Sequence, residues 1–286
     1  MSGMVFNPVW RVRHYLKHRK SDRERALAKI GKAASSDYMR MQWKRALNSR
    51  AILSIHPTTT AYPVWVRMRS SDLAVFSQIL IETEYDCLNV SDGALIIDLG
   101  AYVGYSTAYF LTRFPRSPVI AVEPDPHNFR MLLRNLAPYG ARVTAVHAGV
   151  WSHPAKLSIR EIPYRDGADW TRQVQEDNDG GIDAIDITTL LKLSHHRNIG
   201  LLKMDIEGAE AIVFRDNYSP WLERVERMAV ELHDDTIFGS GTDAFYGAIK
   251  EQEFEFSRSG ELTICTRRAR IACEDHRCNN TYPIST

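Results

Sequence analysis

The sequence predicts an α/β fold in which a mostly parallel sheet carries helices on both faces. From residue 94 onward, short apolar segments of strand length alternate with amphipathic helical segments. Several of these segments are apolar at consecutive positions, as in parallel strands that are buried on both faces. With 286 residues, of which 44% are hydrophobic and 25% charged, the chain can bury a core, which excludes disordered and fibrous classes.

The first part of the chain predicts a basic helical extension, residues 1–60. Val9, Val12 and Leu16 recur at helical spacing, so residues 8–48 are expected to form about two amphipathic helices. Residues 61–93 form a lead-in segment, with a strand at 64–69 and then a helix from Asp72 to Glu82. The inner face of that helix is expected to carry Leu73, Phe76 and Leu80.

The main domain, residues 94–268, contains seven apolar segments that predict the strands of the sheet. They are residues 94–98, 118–123, 141–147, 199–205, 227–233, 253–258 and 261–266. After the second strand, Asp125 is expected to cap a helix that has Pro126 at its first position. Its buried face is expected to carry Phe129, Leu132, Leu133 and Leu136. Residues 161–183 are polar and predict a long loop, and residues 269–286 a C-terminal tail.

Charge is distributed unevenly along the chain. Residues 1–50 hold thirteen Lys and Arg against three Asp and Glu, so a basic arm precedes an acidic domain. Arg13, Lys17 and Lys20 flank the apolar stripe of the arm, which suits contact with an anionic membrane surface or another polyanion. Alternatively the arm packs on the acidic domain, covers an acceptor pocket or forms a homodimer contact.

Neither a membrane-spanning segment nor a secretion signal is apparent, so we expect a soluble, cytoplasmic protein that could bind a membrane peripherally.

The chain has four cysteines without regular spacing, which predicts reduced thiols: Cys87, Cys265, Cys273 and Cys278. Cys273, His276 and Cys278 lack a fourth partner, so we do not expect a zinc site there.

The first strand of the domain ends in a glycine turn, residues 98–106. Gly100 and Gly104 would let the backbone turn tightly near a ligand at the carboxyl edge of the sheet. Their spacing differs from G-x-G-x-x-G, and Asp98 would repel a pyrophosphate but bind an amino group. Glu123, at the end of the next strand, could accept hydrogen bonds from a ribose. Together these features favour S-adenosylmethionine, which has an amino group, a ribose and a sulfonium.

Three segments resemble the FkbM-type family of S-adenosylmethionine-dependent methyltransferases. They read IIDLGAYVGYST, AVEPDPHNFRMLLRN and LLKMDIEGAEAIVF, and the segments VELHD and VRMRSSDLAVFSQILIETEY are also similar to that family. The resemblance covers roughly residues 64–266. It implies a class I methyltransferase fold, with a seven-stranded sheet whose last strand is antiparallel, and methyl transfer to hydroxyl groups of sugars or natural products.

The same resemblance implies a set of cofactor-binding residues: Asp98, Gly100, Ala101, Tyr102, Gly104, Ser106, Glu123, Pro124 and Asp205. Tyr102 departs from the family, whose members usually carry a small polar residue such as Asn there. Residues 1–60 have no counterpart in it.

The segment KMDIEGAEA carries three carboxylates directly after a buried strand. Glu210 is expected to stabilise the first turn of a helix, where acids face the positive end of the dipole, and Glu207 suits either that turn or the site. Asp205 should lie at the end of its strand, below the transferable methyl group in the fold that the resemblance implies. His233, at the end of the next strand, is predicted as the general base because an unperturbed imidazole titrates near pH 6.5.

Lys203 lies inside a parallel strand and must be paired, and Glu231 or one of the helix acids is the expected partner. The sequence places only one acid at a strand end of the site, so we expect no bound metal. We predict that Asp205 and His233 are the catalytic residues, and that Glu207 is the base if His233 is not.

Three functions compete. The first is methylation of a hydroxyl on a small-molecule, sugar or glycan acceptor. The second is nucleic-acid methylation through the basic arm, which is disfavoured because Asp205-Ile206-Glu207-Gly208 replaces the Asn/Asp-Pro-Pro-aromatic turn of base methylation. The third is a cofactor-binding module without chemistry. Tyr164 and Trp170 in the loop 161–183 would suit a sugar acceptor, although a solvated surface loop is equally consistent with the sequence.

Overall fold

The computed structural model describes residues 8–160, 173–234 and 236–268, with the side chains of residues 8–12 left aside. Its centre is a seven-stranded sheet in the order β12-β13-β11-β10-β3-β4-β5. These strands are β3 (Leu95–Leu99), β4 (Val119–Val122), β5 (Val143–Val146), β10 (Ile199–Met204), β11 (Arg227–Glu231), β12 (Phe254–Ser259) and β13 (Leu262–Arg267). β13 alone runs in the direction opposite to the other six strands, so the predicted α/β class and the predicted class I methyltransferase topology are both confirmed.

Helices cover both faces of the sheet, as the apolar strands require. They are α3 (Asp72–Phe76), α4 (Tyr105–Arg113), α5 (Pro126–Leu136), α6 (Ile187–Ser194), α7 (Glu210–Val213), α8 (Ser219–Leu222) and α9 (Gly241–Ile249). The core on one face includes residues of α4 and α5, and the core on the other face residues of α6 and α9. Two further turns, a π-helical Ser77–Ile81 after α3 and a 3₁₀ Ala137–Arg142 after α5, complete these connections.

Asp125 caps α5 as predicted, since its carboxylate accepts hydrogen bonds from the backbone N–H groups of His127 and Asn128. The predicted inner face is correct for Leu132 and Leu136, which are buried, but wrong for Leu133, which is 47% exposed. Met131 is buried in its place.

The basic extension forms two helices, α1 (Pro8–Ile30) and α2 (Lys32–Ala46), which pack against each other. A hairpin of β1 (Ile52–Ile55) and β2 (Val64–Arg67) follows, so the predicted boundary at residue 60 lies within the hairpin. Leu73, Phe76 and Leu80 are buried on the inner side of the lead-in helix, as predicted.

A second, four-stranded sheet lies on both sides of the predicted loop 161–183, and its strand β8 and the start of β9 fall within that loop. Its strands are β6 (Gly149–Val150), β7 (Lys156–Ile159), β8 (Val174–Glu176) and β9 (Ile182–Ile185). Trp151, Leu157 and Val174 pack together on this sheet. Val150, Ile159 and Val174 of this sheet line a pocket together with residues at the carboxyl edge of the main sheet.

Candidate active site

A pocket of about 450 Å³ opens at the carboxyl ends of β3, β4, β10 and β11. This volume is within the usual range of about 300–1,000 Å³ for a small-molecule site. Of the predicted site residues, eight line the pocket: Gly100, Ala101, Tyr102, Ser106, Glu123, Pro124, Asp205 and Glu207. Asp98, Gly104 and His233 lie behind its surface.

Gly100 brings the turn after β3 against the end of β10. Its φ of +71° is left-handed, and a Cβ at this position would overlap the backbone carbonyl oxygen of Asp205. Gly104 also has a left-handed φ of +87°, but a Cβ there would lie 3.1 Å from Leu136 of α5. A side chain at Gly104 would therefore crowd Leu136 rather than a ligand, and the cofactor-binding role of Gly104 stays a prediction.

Asp98 is fully buried behind the glycine turn. One of its carboxylate oxygens accepts hydrogen bonds from the hydroxyls of Ser106 at 2.7 Å and Thr107 at 2.6 Å, and the other lies 3.3 Å from Lys203 Nζ. The carboxylate is thus engaged inside the protein rather than directed at a ligand's amino group.

The buried Lys203 supports the same turn, since its ammonium donates to the carbonyl oxygens of Leu99 at 3.2 Å and Gly100 at 2.8 Å. Burial alone would lower its pKa, but the charges of Asp98 and Asp205 raise it. The predicted pairing of Lys203 with Glu231 or a helix acid is wrong, because Asp98 is directly opposite on the neighbouring strand β3.

Glu123 lies at the end of β4 and is only 6% exposed. Its carboxylate accepts hydrogen bonds from the backbone N–H of Tyr102 at 3.0 Å and of Asp125 at 2.9 Å. Burial raises the pKa of Glu123 to about 8, and these N–H donors offset part of the effect. Glu123 therefore joins the turn after β3 to the end of β4 while facing the pocket.

Tyr102 has a left-handed φ of +52°, a conformation in which Asn is common and Tyr is not. Its hydroxyl donates to Asp72 of α3 at 2.8 Å, and Asp72 also pairs with Arg67 at 2.7 Å. Tyr102, which departs from the small polar residue that the resemblance leads one to expect, thus makes a buried contact with the lead-in helix.

Asp205 and Glu207 follow β10 and face the pocket. Asp205 Oδ1 and Glu207 Oε2 are buried and have no hydrogen-bond partner among the described residues. Glu207 is not in the first turn of a helix, because α7 begins at Glu210 and Glu207 has a left-handed φ of +53°. Burial, reinforced by the charge of Asp205, raises the pKa of Glu207 to about 8.

Glu210 has the structural role predicted for it. Its buried carboxylate accepts hydrogen bonds from the backbone N–H groups of Ile206 at 2.9 Å and Gly208 at 2.8 Å, which fixes the turn after β10. The same carboxylate lies 3.2 Å from His233 Nδ1.

His233 lies two residues beyond β11 and is 1% exposed. Its Nε2 is 3.5 Å from Glu207 and 3.6 Å from Glu231. Burial alone would lower its pKa, but contacts with Glu210 and Glu231 raise it to about 11. The expectation of an ordinary imidazole at an open strand end is wrong, since this side chain is enclosed and positively charged at neutral pH.

Asp205, Glu231 and His233 each offer one ligand atom, and these atoms all lie within 4.8 Å of one another. The expectation that only one acid would stand at a strand end is therefore corrected. The ends of two neighbouring strands bring two carboxylates and an imidazole together.

The sequence profile of the methyltransferase FkbM domain matches residues 98–256, more than half of the chain. The chain belongs to the FkbM methyltransferase family. It is 26% identical over 181 residues to Methyltransferase 1 of Beauveria bassiana, covering 56% of this chain and 73% of that protein. It is 25% identical over 190 residues to Methyltransferase sdnD of Sordaria araneosa, covering 55% and 73%.

Among solved structures, methyltransferase FkbM from Methylobacillus flagellatus is similar, with 17% identity and a TM-score of 0.42. That match covers 64% of this chain and 45% of the solved one.

Sequence reasoning missed several pocket residues of this family member. Val75, Gln78 and Ile79 come from the lead-in helix and its π-helical turn, and Val150, Ile159 and Val174 come from the second sheet. The apolar pair Val75 and Ile79, four residues apart, was the available signal for a second buried face of the helix. Tyr164, Trp170, Cys273, His276 and Cys278 lie outside the described residues.

Proposed function

We propose that this FkbM-family chain is an S-adenosylmethionine-dependent methyltransferase that acts on a hydroxyl of a small-molecule, sugar or glycan acceptor. Membership of the FkbM methyltransferase family supports methyl transfer as the reaction. The cofactor and the hydroxyl acceptor are inferred from the chemistry of the pocket.

The residues present fit S-adenosylmethionine. Glu123 presents a carboxyl group at the end of β4, where ribose hydroxyls could donate to it, and the closely packed turn at Gly100 leaves backbone rather than side chains beside the ligand. The pocket is also acidic, since Asp205, Glu207 and Glu231 line it while the charge of Lys203 is matched by Asp98. A cation with a sulfonium and an amino group suits these surroundings.

The same acidic lining disfavours a nucleic-acid acceptor, because buried carboxylates repel phosphate groups. This argument supports a neutral acceptor of limited size, whose hydroxyl can donate to a carboxylate.

The bound cofactor would supply an activated methyl group on its sulfonium. This chain must then orient the acceptor oxygen and accept its proton. Asp205 and Glu207 are the proposed catalytic residues, because both line the pocket and each has a buried carboxylate oxygen without a hydrogen-bond partner among the described residues. That observation carries the proposal. His233, with its raised pKa, is proposed as a positioning residue that holds Glu207 and Glu231 through its positive charge.

Calorimetry with S-adenosylmethionine tests the cofactor. At about pH 9, above the raised pKa of about 8, Glu123 is a carboxylate. Hydrogen bonds to a charged group are worth about 1.5–3 kcal/mol each, so at that pH Glu123→Ala should weaken binding by about ten- to a hundredfold or more. Glu251→Ala, which changes an exposed acid away from the pocket, should bind like wild type.

Transfer of a labelled methyl group to a panel of sugars, lipid-linked glycans and polyketides, each with an O-blocked analogue, then tests the acceptor. Methylation of amines but of no hydroxyl would contradict the hydroxyl assignment, and unchanged affinity in Glu123→Ala would contradict the cofactor site.

A further inference from the structure

The carboxyl ends of β10 and β11 gather side chains of the types that bind a divalent cation. Asp205 follows β10, Glu231 ends β11, and His233 lies two residues further along. Their three ligand atoms lie within 4.8 Å of one another. Metal–oxygen bonds are about 2.0–2.6 Å long, so ligand atoms of one ion lie up to about 4–5 Å apart.

The orientation of the imidazole is an independent observation that points to a ligand. His233 is 1% exposed, and its Nδ1 faces Glu210, whose carboxylate is fixed by two backbone N–H groups. Metal-binding histidines commonly donate their second ring N–H to a carboxylate in this way. The other nitrogen, Nε2, is directed at the acid cluster and has no hydrogen-bond partner among the described residues.

The charges around this point do not balance. Four acids, Asp205, Glu207, Glu210 and Glu231, surround the single imidazole of His233. Even with Glu207 protonated, as its pKa of about 8 implies at neutral pH, three carboxylates face one imidazole. Lys203 contributes little compensation, because Asp98 lies closer to it than Asp205 does, at 3.3 Å against 4.0 Å. Uncompensated buried carboxylates are costly, and a divalent cation would relieve that cost.

We propose that Asp205, Glu231 and Nε2 of His233 bind one divalent cation of the Mg²⁺ or Mn²⁺ type, with Glu207 adjacent to it. The cation would take the place of the Nε2 proton, which is released to solvent, and would hold the acids in place of the imidazolium charge. Two carboxylates and one imidazole suit Mn²⁺ in particular, since carboxylates are preferred by hard cations and imidazole by transition metals. The role of the cation rests on the proposed function, in which it would hold the acceptor oxygen at the pocket wall. Its binding does not rest on that function.

Titration of the full-length protein with Mn²⁺, followed by the loss of the free-ion signal in electron paramagnetic resonance, tests the site without any turnover. Wild type should bind one Mn²⁺ per chain. Asp205→Asn and Glu231→Gln keep the shape of each side chain and should each weaken binding by at least about tenfold, since even outer residues of metal sites cost that much.

Glu261→Gln is the matched control, because Glu261 is an exposed acid at the rim of the same pocket and loses the same charge. It should bind Mn²⁺ like wild type, and thermal melting should show that all variants are folded. If wild type does not bind Mn²⁺, the proposal is overturned, because a proton on His233 then suffices to balance the acids. If Glu261→Gln weakens binding as much as the other variants, the proposal is also overturned, because the ion is then held only by diffuse electrostatic attraction.

Calorimetry with S-adenosylmethionine after treatment with a chelator separates this inference from the proposed function. Cofactor binding without Mn²⁺ binding overturns the metal site alone. Mn²⁺ binding that depends on Asp205 and Glu231, in a protein that does not bind the cofactor, supports the metal site and overturns the cofactor assignment.

Discussion

At Gly100 the backbone of the glycine turn comes so close to the end of β10 that a methyl group has no room. The atom it would meet is the carbonyl oxygen of Asp205, which is part of the backbone and cannot rotate away. Gly93 has a similar left-handed φ of +74°, but nothing lies within 4 Å of the position of its Cβ. Substituting each glycine with alanine therefore distinguishes the cost of steric overlap, which arises only at Gly100, from the cost of left-handed backbone strain, which arises at both positions.

Gly100→Ala should lower the free energy of unfolding by about 1–3 kcal/mol or more beyond the loss in Gly93→Ala. Gly93→Ala should cost only the left-handed strain of about 1–2 kcal/mol, whereas overpacking adds a further 1–3 kcal/mol or more at Gly100. Urea denaturation of both variants measures the difference. Equal losses would show that the turn and the end of β10 separate easily, contrary to this account.

At the scale of elements, the lead-in segment and the glycine turn form one unit. Tyr102 donates its hydroxyl to Asp72 of α3, and its backbone N–H donates to Glu123. Arg67, at the end of β2, pairs with Asp72 and also donates to Asn128 of α5 at 2.9 Å. The hydrogen bonds thus run from the lead-in segment to the proposed ribose acid.

Tyr102→Phe should lower stability by about 1.5–3 kcal/mol, the scale for a hydrogen bond to a charged group, and should also weaken cofactor binding, because the turn loses its anchor. Tyr139→Phe is the control: its buried hydroxyl contacts Ala108 and Thr112, away from the pocket. Melting and calorimetry on both variants should show a stability loss in each but weaker cofactor binding only in Tyr102→Phe. Weaker binding in neither variant would show that the anchor at Asp72 has no effect on the site.

The order of strands and helices was predictable because apolar periodicity and capping are local signals. Asp125 as the N-cap and Pro126 at the first helical position predicted α5 in this way. Contacts that depend on the arrangement of distant segments were not predictable. Lys203 meets Asp98 only because β10 lies beside β3, and His233 becomes enclosed only because Glu210 lies across from it. The left-handed backbone at Glu207 also left no local trace, since the neighbouring Gly208 was the more obvious turn residue.

At the scale of the whole molecule, the basic extension has one packed side and one open side. Ala26, Ile30, Tyr38 and Met41 are buried in the core that contains the lead-in helix. Arg13, Lys17 and Lys20 are exposed, as is Leu16, which is 48% exposed. No helix in the described ranges combines the length and apolar character needed to cross a membrane.

The basic arm is therefore expected to bind anionic vesicles at low salt and to detach as salt screens the charges, over about 10 Å at 0.1 M. Lys17→Glu with Lys20→Glu should abolish sedimentation with the vesicles. Lys192→Glu with Lys250→Glu, an equal charge reversal at exposed positions of the main domain, should not. If wild type does not sediment but is dimeric in analytical ultracentrifugation, the arm serves self-association instead.

The position of β3 also affects how the protein folds during synthesis. β3 pairs with β4, which follows about twenty residues later, but its other edge pairs with β10, which leaves the ribosome about a hundred residues later. Until then one edge of an apolar strand stays unpaired, and long-range pairing of this kind is slow and prone to aggregation. The arm and the lead-in helix precede β3 in the chain and share a core cluster with Ile96 of that strand, so partners for this face of β3 are synthesised before its second edge partner.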